Sequence, residues 1–172
     1  MAKRCRIALI GAGVMGRTHL DILARNADYE VVGVADPTAA VLAPLAAKGL
    51  PTFTDARRML DDIKPDAAVI ATPNSHHVPA ALECIARGIG VLIEKPVADS
   101  VESALRLLQA LEGTAVPVLI GHHRRHNPLL RKAAAHIAAG GIGRVVAVAR
   151  MWLRRKPDES RLILAIRQGD AV

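Results

Sequence analysis

Aromatic residues are nearly absent from this 172-residue sequence: one Trp, one Tyr and one Phe make up 2% of it. Cysteine is as scarce. Cys5 and Cys84 are not in CxxC spacing, which excludes a disulfide scaffold and a cysteine zinc knuckle and fits a reducing compartment. No uninterrupted apolar run approaches the roughly 18 residues that a membrane helix needs, so no membrane partner is expected. Thirteen Gly and ten Pro are ordinary numbers, and collagen-like or low-complexity readings fall away. What is present is apolar mass. At 51% apolar and 23% charged, the chain is long enough to bury roughly 70% of its unfolded surface, which excludes disorder as the main state.

The first residues imitate a signal peptide, with Lys3, Arg4 and Arg6 before an apolar run. Gly11 and Gly13 interrupt that run and Arg17 follows at once, so the segment reads as mature structure and the location as cytoplasmic. The formal charge of +7 is unevenly spread. Residues 1–120 hold 12 Lys/Arg against 13 Asp/Glu, net −1, whereas residues 121–172 hold 11 against 3, net +8. A basic stretch suggests an anion-facing surface or nucleic acid. Nucleic acid is disfavoured, because Trp152 is the one aromatic there for base stacking.

Short apolar runs alternate with amphipathic stretches. Runs at 6–10, 30–35, 66–71, 90–93, 116–120 and 144–153 read as strands. Stretches at 14–25, 38–48 (with Pro44 as a break), 55–63, 77–87, from a cap at Asp99 or Ser100 to 112, and from 127 to about 139 read as helices. Strands alternating with helices of this length imply βαβ units, a parallel sheet and right-handed crossovers. The special residues cluster just after the strands, where ligands bind in an open α/β sheet.

Gly11-Ala12-Gly13-Val14-Met15-Gly16 follows the first strand and opens the first helix. Gly11 permits the tight turn, Gly13 lets a pyrophosphate approach the backbone, and Gly16 allows close packing of helix on strand. Asp36 ends the second strand, 20 residues after Gly16. A carboxylate there accepts from the adenosine ribose and repels a 2′-phosphate, which favours NAD over NADP. Ala71-Thr72-Pro73-Asn74-Ser75-His76-His77 reads as a loop crossing the cofactor, with Asn74 or His76 on a ribose, or as a helix cap at Asn74 or Ser75. His77 reads as a plain helix-start residue. Glu94-Lys95-Pro96 follows another strand. An ammonium at Lys95 can hydrogen-bond a substrate hydroxyl and favour its alkoxide, or else pair with Glu94 in solvent. His122, His123 and His126 have no Cys, Asp or Glu beside them to complete a metal site, and none is expected. Arg124 or Arg125 in that segment is placed to meet the cofactor or an anionic substrate.

Taken in order, GAGVMGRTH, VADP, ATPNSHH, EKPVADS and GHHRRHNP resemble the Gfo/Idh/MocA family of oxidoreductases over about residues 4–158. The resemblance implies a Rossmann-type, doubly wound parallel α/β sheet and NAD- or NADP-linked oxidation or reduction of sugars, polyols, cyclitols or related carbonyl compounds. It implies that Gly11, Gly13, Val14, Met15, Gly16 and Asp36 bind the cofactor. Ala71, Thr72, Pro73, Asn74, His76, Glu94, Pro96 and Arg124 would border it, and Lys95 would be the catalytic-site lysine.

The family also calls for a second α/β domain, with an Asp and a general acid/base His on one helix. No His follows His136 in this sequence, and the only later Asp residues are Asp158 and Asp170. The expected organisation is therefore a dinucleotide-binding domain at 1–145, the start of a connection at 146–159 and an unrelated tail at 160–172, with the family's second domain missing. Such a chain binds a dinucleotide and is weak or inactive alone, as a remnant or a sensor. Val145, Val146, Val148, Met151, Trp152 and Leu153 would lie partly uncovered, which predicts a homo-oligomer or an aggregation-prone monomer.

Overall fold

The structure is a computed structural model, and it describes residues 3–148. The chain parts into two compact units between His126 and Asn127. The first holds β1 (Cys5–Ile10), α1 (Val14–Leu23), β2 (Tyr29–Ala35), α2 (Ala39–Ala46), β3 (Thr52–Phe53), α3 (Ala56–Ile63), β4 (Ala67–Ile70), α4 (His77–Ile85), β5 (Gly90–Ile93), α5 (Val101–Leu111) and β6 (Val118–Ile120). The second holds α6 (Pro128–Ala138), where Asn127 caps the helix by accepting from the amides of Leu129 and Leu130.

All six strands are parallel, in the order β3-β2-β1-β4-β5-β6. This is the expected doubly wound sheet. The order reverses between β1 and β4, and the carboxyl ends of those two strands are where such a sheet leaves a crevice. Helices cover both faces because β1 is apolar on both. Ala8 and Ile10 pack with Met59, Leu60 and Ile70, whereas Ile7 and Leu9 pack with Leu20, Leu42 and Leu45. A strand buried on both faces reads as a continuous apolar run, which is why β1, β4 and β5 stand out in the sequence.

Local chemistry starts α3 and α5 near the expected positions. Asp55 caps α3 by accepting from the amides of Arg57 and Arg58, and Ser100 caps α5 by accepting from that of Ser103.

Three expectations need correction, and one element was missed. Pro44 does not break its helix: α2 runs through it. A mid-helix Pro costs about 3 kcal/mol, but burying Leu42 and Leu45 on the same short helix returns about 3–6 kcal/mol. Neither Asn74 nor Ser75 caps α4; a 3₁₀ turn over Asn74–His76 leads into it instead. The two-residue β3 went unrecognised, too short to carry a period. The strand expected over 144–153 does not form over 144–148, and its remainder, with Met151, Trp152 and Leu153, lies outside the described residues. Among the described residues no helix is long and apolar enough to cross a membrane.

Candidate functional site

β1 ends at Ile10 and the chain turns at once. Gly11 adopts φ +92°, and its amide donates to the Ala35 carbonyl at 2.8 Å. A Cβ there would lie 2.7 Å from the carbonyl carbon and oxygen of Ala71, so the loop after β4 passes against bare backbone. A Cβ at Gly16 would run into the Gly11 carbonyl oxygen, and this glycine is what lets α1 sit down on its own loop. Gly13 differs from both. It is exposed, its φ is an ordinary −66°, and a Cβ added to it would meet nothing within 4 Å. The space it leaves is open solvent in front of the first turn of α1. No side chain caps that turn and no acidic residue occupies it, so its unpaired amides and the positive end of the helix dipole face the opening.

Asp36 closes the other side. One carboxylate oxygen accepts from the Ala12 amide and the other from the Thr38 amide, both at 2.9 Å. The glycine loop and the β2–α2 turn are thus tied through a single carboxylate. Each oxygen of an ionised carboxylate has about two lone-pair positions, so each keeps one free for a further donor.

These residues border a cleft of about 530 Å³ at the carboxyl ends of the strands. Gly11, Gly13, Asp36, Ala71, Thr72, Pro73 and His76 of the predicted set line it. Thr72 brings a buried hydroxyl oxygen that has no hydrogen-bond partner. A larger hollow of about 830 Å³ lies at the amino ends of the strands, around Arg4, Tyr29 and Leu50, and contains none of the predicted site residues. Size and chemistry therefore point to different places, and the chemistry identifies the candidate site.

The remaining predicted residues lie outside the cleft lining. Val14 and Met15 stand exposed at the start of α1, 74% and 45% accessible. Lys95 and Asn74 are exposed, and Arg124 is half-buried on a 3₁₀ turn, His123–His126, after β6. Glu94 is buried, and its carboxylate is engaged within the fold. It meets His19 Nε2 at 2.9 Å and accepts from the Lys95 amide at 3.2 Å. The start of the loop after β5 is thereby fastened to α1, the helix that begins at the glycine loop.

His77 is more than a helix-start residue. It is 1% exposed, with Nδ1 at 2.7 Å from the Pro96 carbonyl oxygen and Nε2 at 2.9 Å from that of Thr72. One buried ring spans the loop after β4 and the loop after β5. Sequence reasoning also missed Arg57 and Glu83, which line the cleft and form an ion pair at 2.8 Å. No local motif marks that pair, since its members come from different helices.

The charged groups around α3 and α4 are tuned by their partners. Arg87 hydrogen-bonds Asp61 and holds its carboxyl below the usual carboxylate range, and the same contact raises the Arg87 guanidinium. The Arg6 amide donates to Asp66 and lowers its carboxyl. Burial pushes the Cys84 thiol up to about 12. Among the described residues no three His, Cys, Asp or Glu side chains stand close enough to hold a metal ion.

Residues 5–122 match the family described as "Oxidoreductase family, NAD-binding Rossmann fold". The rhizopine catabolism protein MocA of Rhizobium meliloti is 36% identical over 145 residues, covering 84% of this chain and 46% of the relative. Inositol 2-dehydrogenase 4 of Saccharopolyspora erythraea is 34% identical over 146 residues, covering 83% and 43%. The crystal structure of the WlbA dehydrogenase from Bordetella pertussis, in complex with NADH and UDP-GlcNAcA, superposes with a TM-score of 0.77 at 30% identity, over 83% of this chain and 44% of that one. The chain thus spans a little under half the length of the relatives it matches.

Proposed function

The chain belongs to the Gfo/Idh/MocA family of oxidoreductases, and from that premise we propose that it carries the cofactor half of an enzyme that moves hydride between NAD and a sugar, polyol or cyclitol. NAD is the cofactor of this domain. The observation that carries the reading is the placement of the glycine loop and Asp36 on one cleft at the strand ends. The residues present fit the dinucleotide. Gly13 leaves the helix amides open to a pyrophosphate, Asp36 keeps lone pairs for ribose hydroxyls, and the unpartnered Thr72 hydroxyl lies beside them.

In this reading Gly11, Gly13, Val14, Met15 and Gly16 hold the pyrophosphate, and Asp36 holds the adenosine ribose. Ala71, Thr72, Pro73, Asn74 and His76 border the bound molecule, with Glu94, Pro96 and Arg124 toward its nicotinamide end. Bound NAD supplies the hydride acceptor or donor. Lys95 donates a hydrogen bond to the substrate oxygen and stabilises its alkoxide form. His77 and the His19–Glu94 pair act at one remove, by fixing the loops that carry Thr72 and Lys95.

The family resemblance calls for an acid/base His beyond the Rossmann region, and no His follows His136 in these 172 residues. Losing a positioned acid/base costs roughly 10²- to 10⁴-fold, so the 172 residues by themselves bind NAD(H) and turn substrate over weakly. The free thiols of Cys5 and Cys84 fit a cytoplasmic protein, and the apolar residues at 145–148 fit a homo-oligomer. Calorimetric titration of the purified chain with NADH and NADPH, followed by an assay of inositol-dependent NAD reduction, tests the reading. Saturable NADH binding with NADPH clearly weaker is expected, with little or no turnover. No binding of either dinucleotide refutes the site, and brisk turnover refutes the claim that the 172 residues are weak alone.

A further inference from the structure

The cleft holds a second device for cofactor choice besides Asp36. We propose that Glu83 keeps the dinucleotide site selective for NAD by pairing with Arg57, so that its guanidinium is engaged and not free to receive a 2′-phosphate. The proposal rests on the dinucleotide reading of the cleft and deepens it.

Discrimination against NADP has two requirements. A carboxylate at the end of the second strand must repel the extra phosphate, and no free cation can stand near enough to receive it. Asp36 meets the first. The second is less simple, because Arg57 lines the same cleft, at the second position of α3, and is the one Lys or Arg among its lining residues. Its side chain is 71% exposed, and an arginine fork is the group that takes a phosphate best.

Glu83 occupies that arginine. Its Oε1 lies 2.8 Å from an Arg57 guanidinium nitrogen. Glu83 is itself held in place: Oε2 and the backbone oxygen accept from Arg87 at 2.7 and 2.8 Å. Arg87 in turn donates to both carboxylate oxygens of Asp61, at 2.7 and 3.3 Å. The chain Asp61–Arg87–Glu83–Arg57 runs from the solvent side of α3 and α4 to the cleft. Glu83 is its 30%-exposed, doubly held member and Arg57 its exposed end.

The test is the ratio of dissociation constants for NADPH and NADH, measured by calorimetry or by displacement of NADH. The proteins are the full chain, Glu83→Gln, Arg57→Ala, the double variant, and Asp62→Asn. The last removes the same charge from α3, but Asp62 pairs with Arg58 outside this ion-pair chain and lies outside the cleft lining. Glu83→Gln is expected to lower the NADPH-to-NADH ratio about fivefold, the scale of one exposed ion pair. In the Arg57→Ala background the same substitution leaves the ratio unchanged, and so does Asp62→Asn. An unaltered ratio in Glu83→Gln overturns the proposal. So does an equal fall in the Arg57→Ala background or in Asp62→Asn, which would show a bulk charge effect. If the unsubstituted chain fails to bind NADH, the dinucleotide reading falls and takes the proposal with it.

Discussion

Replacing Asp36 by Ala perturbs folding and cofactor choice through one carboxylate. In the fold, that carboxylate accepts from two backbone amides at 2.9 Å. The Thr38 amide is exposed and regains water when the carboxylate goes. The amide of Ala12, a residue with no exposed surface, does not. An orphaned buried donor costs about 1–3 kcal/mol, and the lost charge-assisted bond at the exposed amide adds little. The expected loss is about 2 kcal/mol, or roughly 6–10 °C in Tm for a domain of this size. In the proposed reading of the site, the loss removes the ribose acceptor and the repulsion of a 2′-phosphate together. The NADPH-to-NADH dissociation-constant ratio should fall by about tenfold or more, equivalent to about 1.4 kcal/mol. Denaturant unfolding measures the first effect and calorimetric titration the second. If Asp36→Ala keeps the parent stability, the carboxylate does not tie the two loops. If it keeps the parent ratio, the carboxylate does not read the ribose.

Two further outcomes follow from the glycines and the buried thiol. Gly13→Ala should fold like the parent, because its methyl meets nothing within 4 Å, yet lose NADH affinity by tenfold or more where the pyrophosphate needs that space. Gly16→Ala should instead be destabilised, since its methyl runs into the Gly11 carbonyl oxygen; thermal melts beside NADH titrations separate the two, and equal behaviour of the pair would refute the assignment. Cys84 should resist a thiol reagent at pH 8 until the chain unfolds, with the half-buried Cys5 reacting first. Its thiol is raised from 9.0 to about 12, so the stability from burying it uncharged is complete below pH 9 and is lost as pH rises from 9 toward 12. Early reaction of Cys84 in the folded chain would contradict its burial.

Much of this fold was readable because its signals are local. The continuous apolar runs of β1, β4 and β5 announce strands covered on both faces. Asp55, Ser100 and Asn127 announce helix starts, since a cap acts on amides two or three residues away. The glycine loop and Asp36 were legible for a similar reason: each sits at the end of a strand, and the spacing between them spans a single βαβ unit.

What escaped the sequence depends on contacts between distant segments. His77 looks like any histidine at a helix start until the fold brings Thr72 and Pro96 to its two ring nitrogens. His19 and Glu94 are 75 residues apart and meet only because α1 packs near the end of β5. The helix through Pro44 exists because Leu42 and Leu45 find a core to enter, which no local propensity reports.

By itself, then, the sequence determined the parallel α/β class, the order of the main elements, the tight glycine turn after β1 and the Asp36 carboxylate that stands beside it. All of these follow from backbone constraints and periodicities acting over a few residues. Only the tertiary structure decided which charged and buried side chains meet in and behind the site, namely Arg57 with Glu83 in the cleft lining, and His19 with Glu94 and His77 between two loops behind it. Those pairings are set by how helices from separate βαβ units stack on one sheet, and the chain between them carries no signal of that distance.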